Sequence, residues 1–202
     1  MSVRVLLAED QAMVRGAIAA LLTLEQDIEI VAEASRGDEI VASALESGPD
    51  VALLDVEMPG GDGLEAAVDL REKLPSCRVI ILTTFGRAGY LKRAMENGAA
   101  GFLLKDAPSS ELAKAIHRVM RGERVVDPDL AALALSAGDN PLTGREREAL
   151  AASEGGATIE DVAAMLYLSE GTVRNYLSTA IKKLGARNRV EAARLAERKG
   201  WL

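Results

Sequence analysis

The sequence predicts an α/β chain in two parts: a doubly wound, five-stranded parallel sheet, then a small all-α bundle of four helices. Three observations lead there. Short β-rich runs alternate with helix-period segments through residues 1–124. Several of those runs are apolar almost throughout. From Pro141 onward the pattern is wholly helical.

The β-rich runs are Val3–Ala8, Ile28–Ala34, Val51–Asp55, Val79–Thr83 and Gly101–Leu104. Such runs alternating with helices make βαβ units and a parallel sheet. VRVLLA, VALLD and VIILTT have the continuous apolar character of strands covered on both faces. Between the runs, Val14, Ala17, Ile18, Leu21 and Leu22 form one apolar helical stripe. Leu112, Ile116, Val119 and Met120 form another. Five strands and five helices in this stretch suggest a flavodoxin-like sheet.

Residues 125–139 change character. They hold Asp127, Asp129 and Asp139 and no base, and they read as a linker with one short helix over 129–136. Residues 140–202 read as four short helices. Thr143 with Glu146 is a capping box, and Thr158 with Asp161 looks like a second. Ile159, Val162, Ala163 and Leu166 follow at helical spacing. Ser169 can cap the next helix, whose buried stripe is Val173, Leu177, Ala180, Ile181 and Leu184, with Gly185 as its stop. A last helix runs over about 188–199 and ends at Gly200. The middle two, joined across Leu168, have helix-turn-helix spacing.

Composition narrows the class. Apolar residues make up 49% and charged residues 27% of the 202, which excludes a disordered or membrane-embedded chain. No apolar run approaches the ~20 residues that span a bilayer. The opening MSVRVLLAEDQ brings acids straight after its apolar run, unlike a signal peptide. A single cysteine, Cys77, forms no internal disulfide. These features predict a cytoplasmic protein. The net charge of −7 argues at first against nucleic acid, but its distribution is uneven. Residues 1–124 carry 14 basic and 20 acidic residues, whereas 140–202 carry 10 basic and 8 acidic. A mildly basic tail on an acidic body is compatible with DNA binding by the tail.

The strand ends carry the chemistry. Glu9 and Asp10 close the first run, Asp55 the third, Thr83 the fourth and Lys105 the fifth. Ligands of open parallel sheets bind at the carboxyl ends of the strands, where strand order reverses. Three carboxylates converging there repel one another unless a hard divalent cation joins them, and Mg²⁺ prefers few carboxylates plus water and phosphate oxygens. With an exposed acceptor carboxylate, one hydroxyl and one ammonium, the set suits a phosphoryl group attached to Asp55, its charge spread over Mg²⁺, Thr83 and Lys105. Each residue taken singly also has a plainer reading. The acids can be helix N-caps, Thr83 a strand residue and Lys105 a solvated lysine.

AEDQ at 8–11, LLDVEMPGGDG at 53–63, ILTTF at 81–85 and GFLLKD at 101–106 resemble the receiver domain of bacterial response regulators. The resemblance implies that Asp55 is the phosphoacceptor, that Asp10 and Asp55 bind Mg²⁺ directly, and that Glu9 acts through water. The backbone carbonyl of Glu57 would complete the metal site. Thr83 and Phe102 would be the switch pair, and Lys105 would contact the phosphoryl group. The donor would be a phosphohistidine on a sensor histidine kinase. The family often has two aspartates where this chain has Glu9 and Asp10, a mild departure that keeps two carboxylates. His117 falls on the fifth helix, away from the strand ends, and reads as a surface residue.

In the second part, a recognition helix hides one face and offers the other to the groove. The segment from Glu170 to Leu184 offers Arg174, Asn175, Ser178 and Lys182. Arg pairs with guanine and Asn with adenine, while Lys182, Lys183, Arg187 and Arg189 suit phosphates. LTGRERE at 142–148, LSEGTVRNYLS at 168–178 and KKLGARNRVEAA at 182–193 resemble the LuxR/NarL/FixJ-type helix-turn-helix. Base contacts from Arg174, Asn175 and Ser178 follow from that pattern. The family often has His where this chain has Tyr176, which leaves that contact open. The combination of AEDQ, TTF, TVRNY and GWL is most similar to DesR-type regulators, paired with membrane-state sensor kinases, and so implies control of membrane-lipid genes.

The whole predicts a DNA-binding transcriptional regulator, not an enzyme, with Mg²⁺ as cofactor. It dimerises when phosphorylated, with apolar outward positions on the first and fifth helices available for the purpose, and works with RNA polymerase without entering a membrane. A dehalogenase-type phosphatase is the rival enzyme reading, but it would need D-x-D after the first strand, where this chain has Glu9-Asp10-Gln11. A regulator independent of phosphorylation is the other rival.

Overall fold

The computed structural model describes residues 2–84, 86–136 and 140–202. Phe85, the last residue of ILTTF, and Asp139, the last acid of the linker, lie outside them. Contacts divide the chain into two compact units, one of Met1–Gly86 with Tyr90–Ala132, the other of Arg87–Gly89 with Leu133–Leu202.

In the first unit, β1 (Val3–Ala8), β2 (Ile28–Ala34), β3 (Val51–Asp55), β6 (Arg78–Thr83), β7 (Gly101–Leu104) and β8 (Val125–Val126) form one parallel sheet in the order β2-β1-β3-β6-β7-β8. The first five strands take the 2-1-3-4-5 order of a flavodoxin-like sheet. The sixth corrects the sequence reading. Val125 and Val126, assigned to the linker, pair with Gly101 and Phe102 at the sheet edge. A second addition is the small antiparallel ribbon of β4 (Glu57–Met58) and β5 (Gly61–Asp62), directly after β3.

Helices α1 (Ala12–Thr23) and α5 (Ser109–Met120) pack on one face of the sheet. There Val5, Leu7, Leu53, Ile80, Leu82 and Leu103 meet Ile18, Leu22, Ile116 and Val119. The alternate strand residues Leu6, Leu54 and Ile81 are fully buried on the opposite face. That face carries α2 (Ile40–Ser47) and α3 (Gly63–Lys73), followed in sequence by α4 (Ala88–Glu96). Burying a Leu or Ile side chain contributes roughly 1.5–3 kcal/mol, so this doubly covered sheet is the stabilising centre of the unit.

The predicted apolar stripes are only partly covered. On α1 only Leu22 is buried; Ala17 and Leu21 are exposed, as are Met13 and Leu24. On α5, Met120 is also exposed. Helix α1 therefore has more apolar surface than the sheet covers.

Helix α6 (Pro128–Ser136) is the short helix expected in the linker. Beyond it, α7 (Gly144–Ala152), α8 (Ile159–Leu166), α9 (Glu170–Leu184) and α10 (Arg189–Arg198) form the bundle. Both expected capping boxes are present, with Thr143 and Glu146 at α7 and Thr158 and Asp161 at α8. Ser169 caps α9 and Gly185 ends it at φ 63°. The core joins Leu150, Val162, Val173, Leu177, Ala180 and Ala196. The terminal GWL closes it. Trp201 is buried, its carbonyl accepts from Asn140, and Lys199 lies 4.6 Å over its ring. Tyr167 ends α8 in the left-handed region at φ 53°, a conformation that costs a side-chain-bearing residue roughly 1–2 kcal/mol.

Candidate functional site

Strand register brings the chemical residues together. Ala8 pairs with Leu54, Asp55 with Leu82, and Thr83 with Leu104. Glu9, Asp10, Asp55, Thr83 and Lys105 thus all stand at the carboxyl edge of adjacent strands. One carboxylate oxygen each from Glu9, Asp10 and Asp55 lie within 4.8 Å of one another. The plainer reading of these acids as N-caps does not hold, because α1 is preceded by Gln11, which makes no side-chain cap, and α3, the helix after Asp55, is capped by Asp62. Glu9 Oε1 instead accepts from the Gln11 backbone N–H at 3.1 Å.

The acceptor carboxylate was expected to be exposed. Asp55 is only 4% exposed, because Lys105 lies across it. The Lys105 ammonium is 2.7 Å from Asp55 Oδ2 and 2.6 Å from Glu9 Oε2. Lys105 is thus an internal counter-ion for two buried carboxylates and not a solvated loop residue. Burial pushes the Asp55 carboxyl above its ordinary value; Lys105 pulls it back and Glu9 adds to the rise. Burial would lower Lys105, but its two carboxylate partners outweigh that and hold it above the usual lysine range.

Thr83 is buried on the same rim, and its carbonyl accepts from the Lys105 N–H at 2.9 Å. Phe102 is fully buried. A switch there would be a repacking of an enclosed ring, not its entry from solvent. Glu57 lies on the ribbon beside Asp55, and the Tyr90 hydroxyl donates to its side chain at 3.1 Å. His117 is partly exposed on α5, 3.7 Å from Asp27, as a surface residue should be.

Gly63 is a requirement that sequence reasoning did not single out. It opens α3, and a Cβ on it would overlap the backbone carbonyl of Asp55. Its place in GGDG directly after the acceptor strand was the available signal. Gly63→Ala is expected to shift Asp55 and to cost about 1–3 kcal/mol as overpacking. A denaturation midpoint equal to that of wild type would refute this.

In the bundle, Arg174, Asn175, Ser178 and Lys182 all lie on the exposed face of α9, and Val173, Leu177 and Ala180 on its buried face. Arg174 pairs with Glu170 at 2.8 Å and Arg187 with Glu191 at 3.0 Å. Both pairs are solvent-exposed and screened, so they contribute little to stability. Arg189 is half-buried at the start of α10. Lys183 has a different partner. It reaches 2.7 Å to Glu146, a buried residue of the α7 capping box, and so ties α9 to α7. Burial raises the Glu146 carboxyl, but Lys183 and Thr143 outweigh it and hold it below the usual range.

A flavodoxin-like sheet with an acidic cluster, threonine and lysine on its carboxyl edge, in a chain with a helix-turn-helix, defines a response regulator that binds DNA. The comparisons agree. "Response regulator receiver domain" matches residues 5–117, and "Bacterial regulatory proteins, luxR family" matches residues 140–196. YvfU of Bacillus subtilis, an uncharacterized transcriptional regulatory protein, is 46% identical over 99% of this chain and 100% of its own length. The transcriptional regulatory protein DesR of the same organism is 45% identical over 98% of both chains. Among solved structures, the response regulator ChrA of a heme-sensing two-component system is 36% identical and superposes with a TM-score of 0.59, over 100% of this chain and 99% of that one. The chain belongs to the LuxR-type response regulators and is a DNA-binding transcriptional regulator.

Proposed function

We propose that Asp55 takes a phosphoryl group from the phosphohistidine of a sensor histidine kinase, and that this controls DNA binding through dimerisation. The observation that carries the reading is the Glu9–Asp10–Asp55 cluster closed by Lys105. An Asp55 carboxylate oxygen attacks phosphorus, the phosphorus–nitrogen bond to the donor imidazole breaks, and an acyl phosphate forms. Three converging carboxylates fit a hard divalent cation. Mg²⁺ would be held by Asp10, Asp55, the Glu57 carbonyl and, through water, Glu9. When bound it neutralises charge on the phosphoryl oxygens. Lys105 then transfers from the bare carboxylates to the phosphoryl group, and the Thr83 hydroxyl donates to it. The repacking of Thr83 and Phe102 biases a two-state element at α4, β7 and α5.

Arg174, Asn175 and Ser178 read base edges, while Lys182, Arg187 and Arg189 hold phosphates; Lys183 contributes from its place beside Glu146. The apolar outward residues Met13 and Leu21 of α1 and Leu24 just after it, with Met120 of α5, support a dimer face. Dimers read paired half-sites and double the phosphate contacts. No helix among the described residues is long and apolar enough to cross a membrane. The chain acts in the cytoplasm, works with RNA polymerase and turns over no external substrate. Its equal likeness to YvfU and DesR gives no reason to single out membrane-lipid genes.

Sedimentation and genome-fragment capture, each with and without acetyl phosphate and Mg²⁺, test the proposal. The expected result is a shift from monomer to dimer with more DNA retained. A monomer in both states would remove the dimer; equal retention would remove control by phosphorylation.

A further inference from the structure

We infer that Tyr167 is a DNA-backbone contact, its phenol donating a hydrogen bond to a phosphate beside the groove that α9 enters. Tyr167 is the one non-glycine residue with positive φ among the described residues. At the equivalent place after α9 the chain uses Gly185, and after α2 it uses Gly48. Glycine would end α8 more easily, since it has no Cβ to clash in the left-handed region. The fold takes nothing from the tyrosine ring in return. It is 96% exposed, and its neighbour Leu168 supplies the packing contact to the bundle core. The hydroxyl has no partner among the described residues. A bulky residue held in a disfavoured conformation without packing is the kind of outlier that marks a contact surface.

Position selects the partner. Tyr167 lies in the turn between α8 and α9, two residues before the Ser169 cap. In a helix-turn-helix the N-terminal residues of the second helix reach the bases, so the turn before it faces the sugar-phosphate wall. Phosphate oxygens only accept hydrogen bonds, and a tyrosine hydroxyl is one of the groups that donates to them. The inference rests on α9 being the recognition helix.

The test uses the full chain, phosphorylated as above, and a mixed-sequence duplex long enough for two half-sites, since a phosphate contact does not depend on sequence. Tyr167→Gly is expected to melt no lower than wild type yet to bind roughly tenfold more weakly, the size of a hydrogen bond to a charged group. Tyr167→Phe is expected to lose most of the same affinity with unchanged melting. Because a neutral phenol releases no counterion, the slope of log affinity against log salt stays as in wild type, whereas Lys182→Ala makes it shallower. Wild-type affinity in both tyrosine variants would overturn the inference. So would a loss confined to Tyr167→Gly, which assigns the ring and not the hydroxyl. Unchanged DNA binding with reduced promoter-dependent transcription would assign a protein partner instead, and also overturns it. Arg174→Ala, measured on a fragment retained in the genome-fragment capture because base readout needs a specific site, separates the two levels. If it weakens binding while both tyrosine variants do not, only Tyr167 is misassigned; if it too binds like wild type, the reading of α9 fails and this inference falls with it.

Discussion

Asp55→Asn is expected to abolish phosphorylation of the chain and to leave its fold standing. With acetyl phosphate and Mg²⁺, the wild-type chain is expected to gain a phosphoryl group on the peptide containing Asp55. The variant should stay at background, and its DNA retention should no longer respond. The amide is close in shape to the carboxylate but carries no anionic oxygen to attack phosphorus. Glu9 cannot substitute, because its carboxylate is buried between the Gln11 amide and Lys105. The variant should fold because burial already pushes the Asp55 carboxyl towards its neutral form. Asparagine removes one of the two buried carboxylates and leaves Lys105 paired with Glu9. Mass mapping of the labelled peptide decides the matter. Label persisting in the variant, on Asp10 or elsewhere, would move the acceptor.

The carboxyl-edge cluster was legible because strand ends were legible. Each apolar run stopped at a polar residue, and parallel connectivity puts all such stops on one edge. The capping boxes were legible because both partners lie within one turn. What escaped was of three kinds. Strands β4, β5 and β8 have two residues each, too few for any periodicity to register. The covering of Asp55 by Lys105 and the Lys183–Glu146 pair are side-chain meetings across the fold, 50 and 37 positions apart in sequence. Lastly, an apolar stripe does not reveal how much of it the fold will cover. The α1 stripe reads as one apolar face, but the sheet takes Leu22 and leaves Leu21 outside. Tyr167 belongs with these, since local preference at a helix end favours glycine and nothing beside it signals a left-handed tyrosine.

Lys105→Met should destabilise the first unit strongly, and Mg²⁺ should reverse part of the loss. Lys105 lies within 2.7 Å of both Glu9 and Asp55, and the side chains of all three are at most 7% exposed. Removing one partner from a buried charge cluster costs roughly 3–5 kcal/mol, because uncompensated charge stays behind. Here Asp55 can relieve some of it by taking a proton, so about 3 kcal/mol near neutrality is expected, or roughly 10 °C in melting temperature. Asp55 is already held above its ordinary 3.8 in the fold. An acid raised in this way contributes stability that is fully present below 3.8 and is lost as pH rises through the folded value. Loss of Lys105 pushes that value higher still, so the deficit should grow with pH and shrink on acidification. Mg²⁺, proposed above to be held by the same carboxylates, would have to compete with the ammonium in wild type but not in the variant. At a hundredfold excess over its dissociation constant, it returns ~2.7 kcal/mol. Calorimetry is the suitable probe, because the single tryptophan, Trp201, belongs to the helical bundle and reports on that unit alone. A variant that melts with wild type, and responds no more than wild type to Mg²⁺, would mean that Lys105 is not the counter-ion of this site.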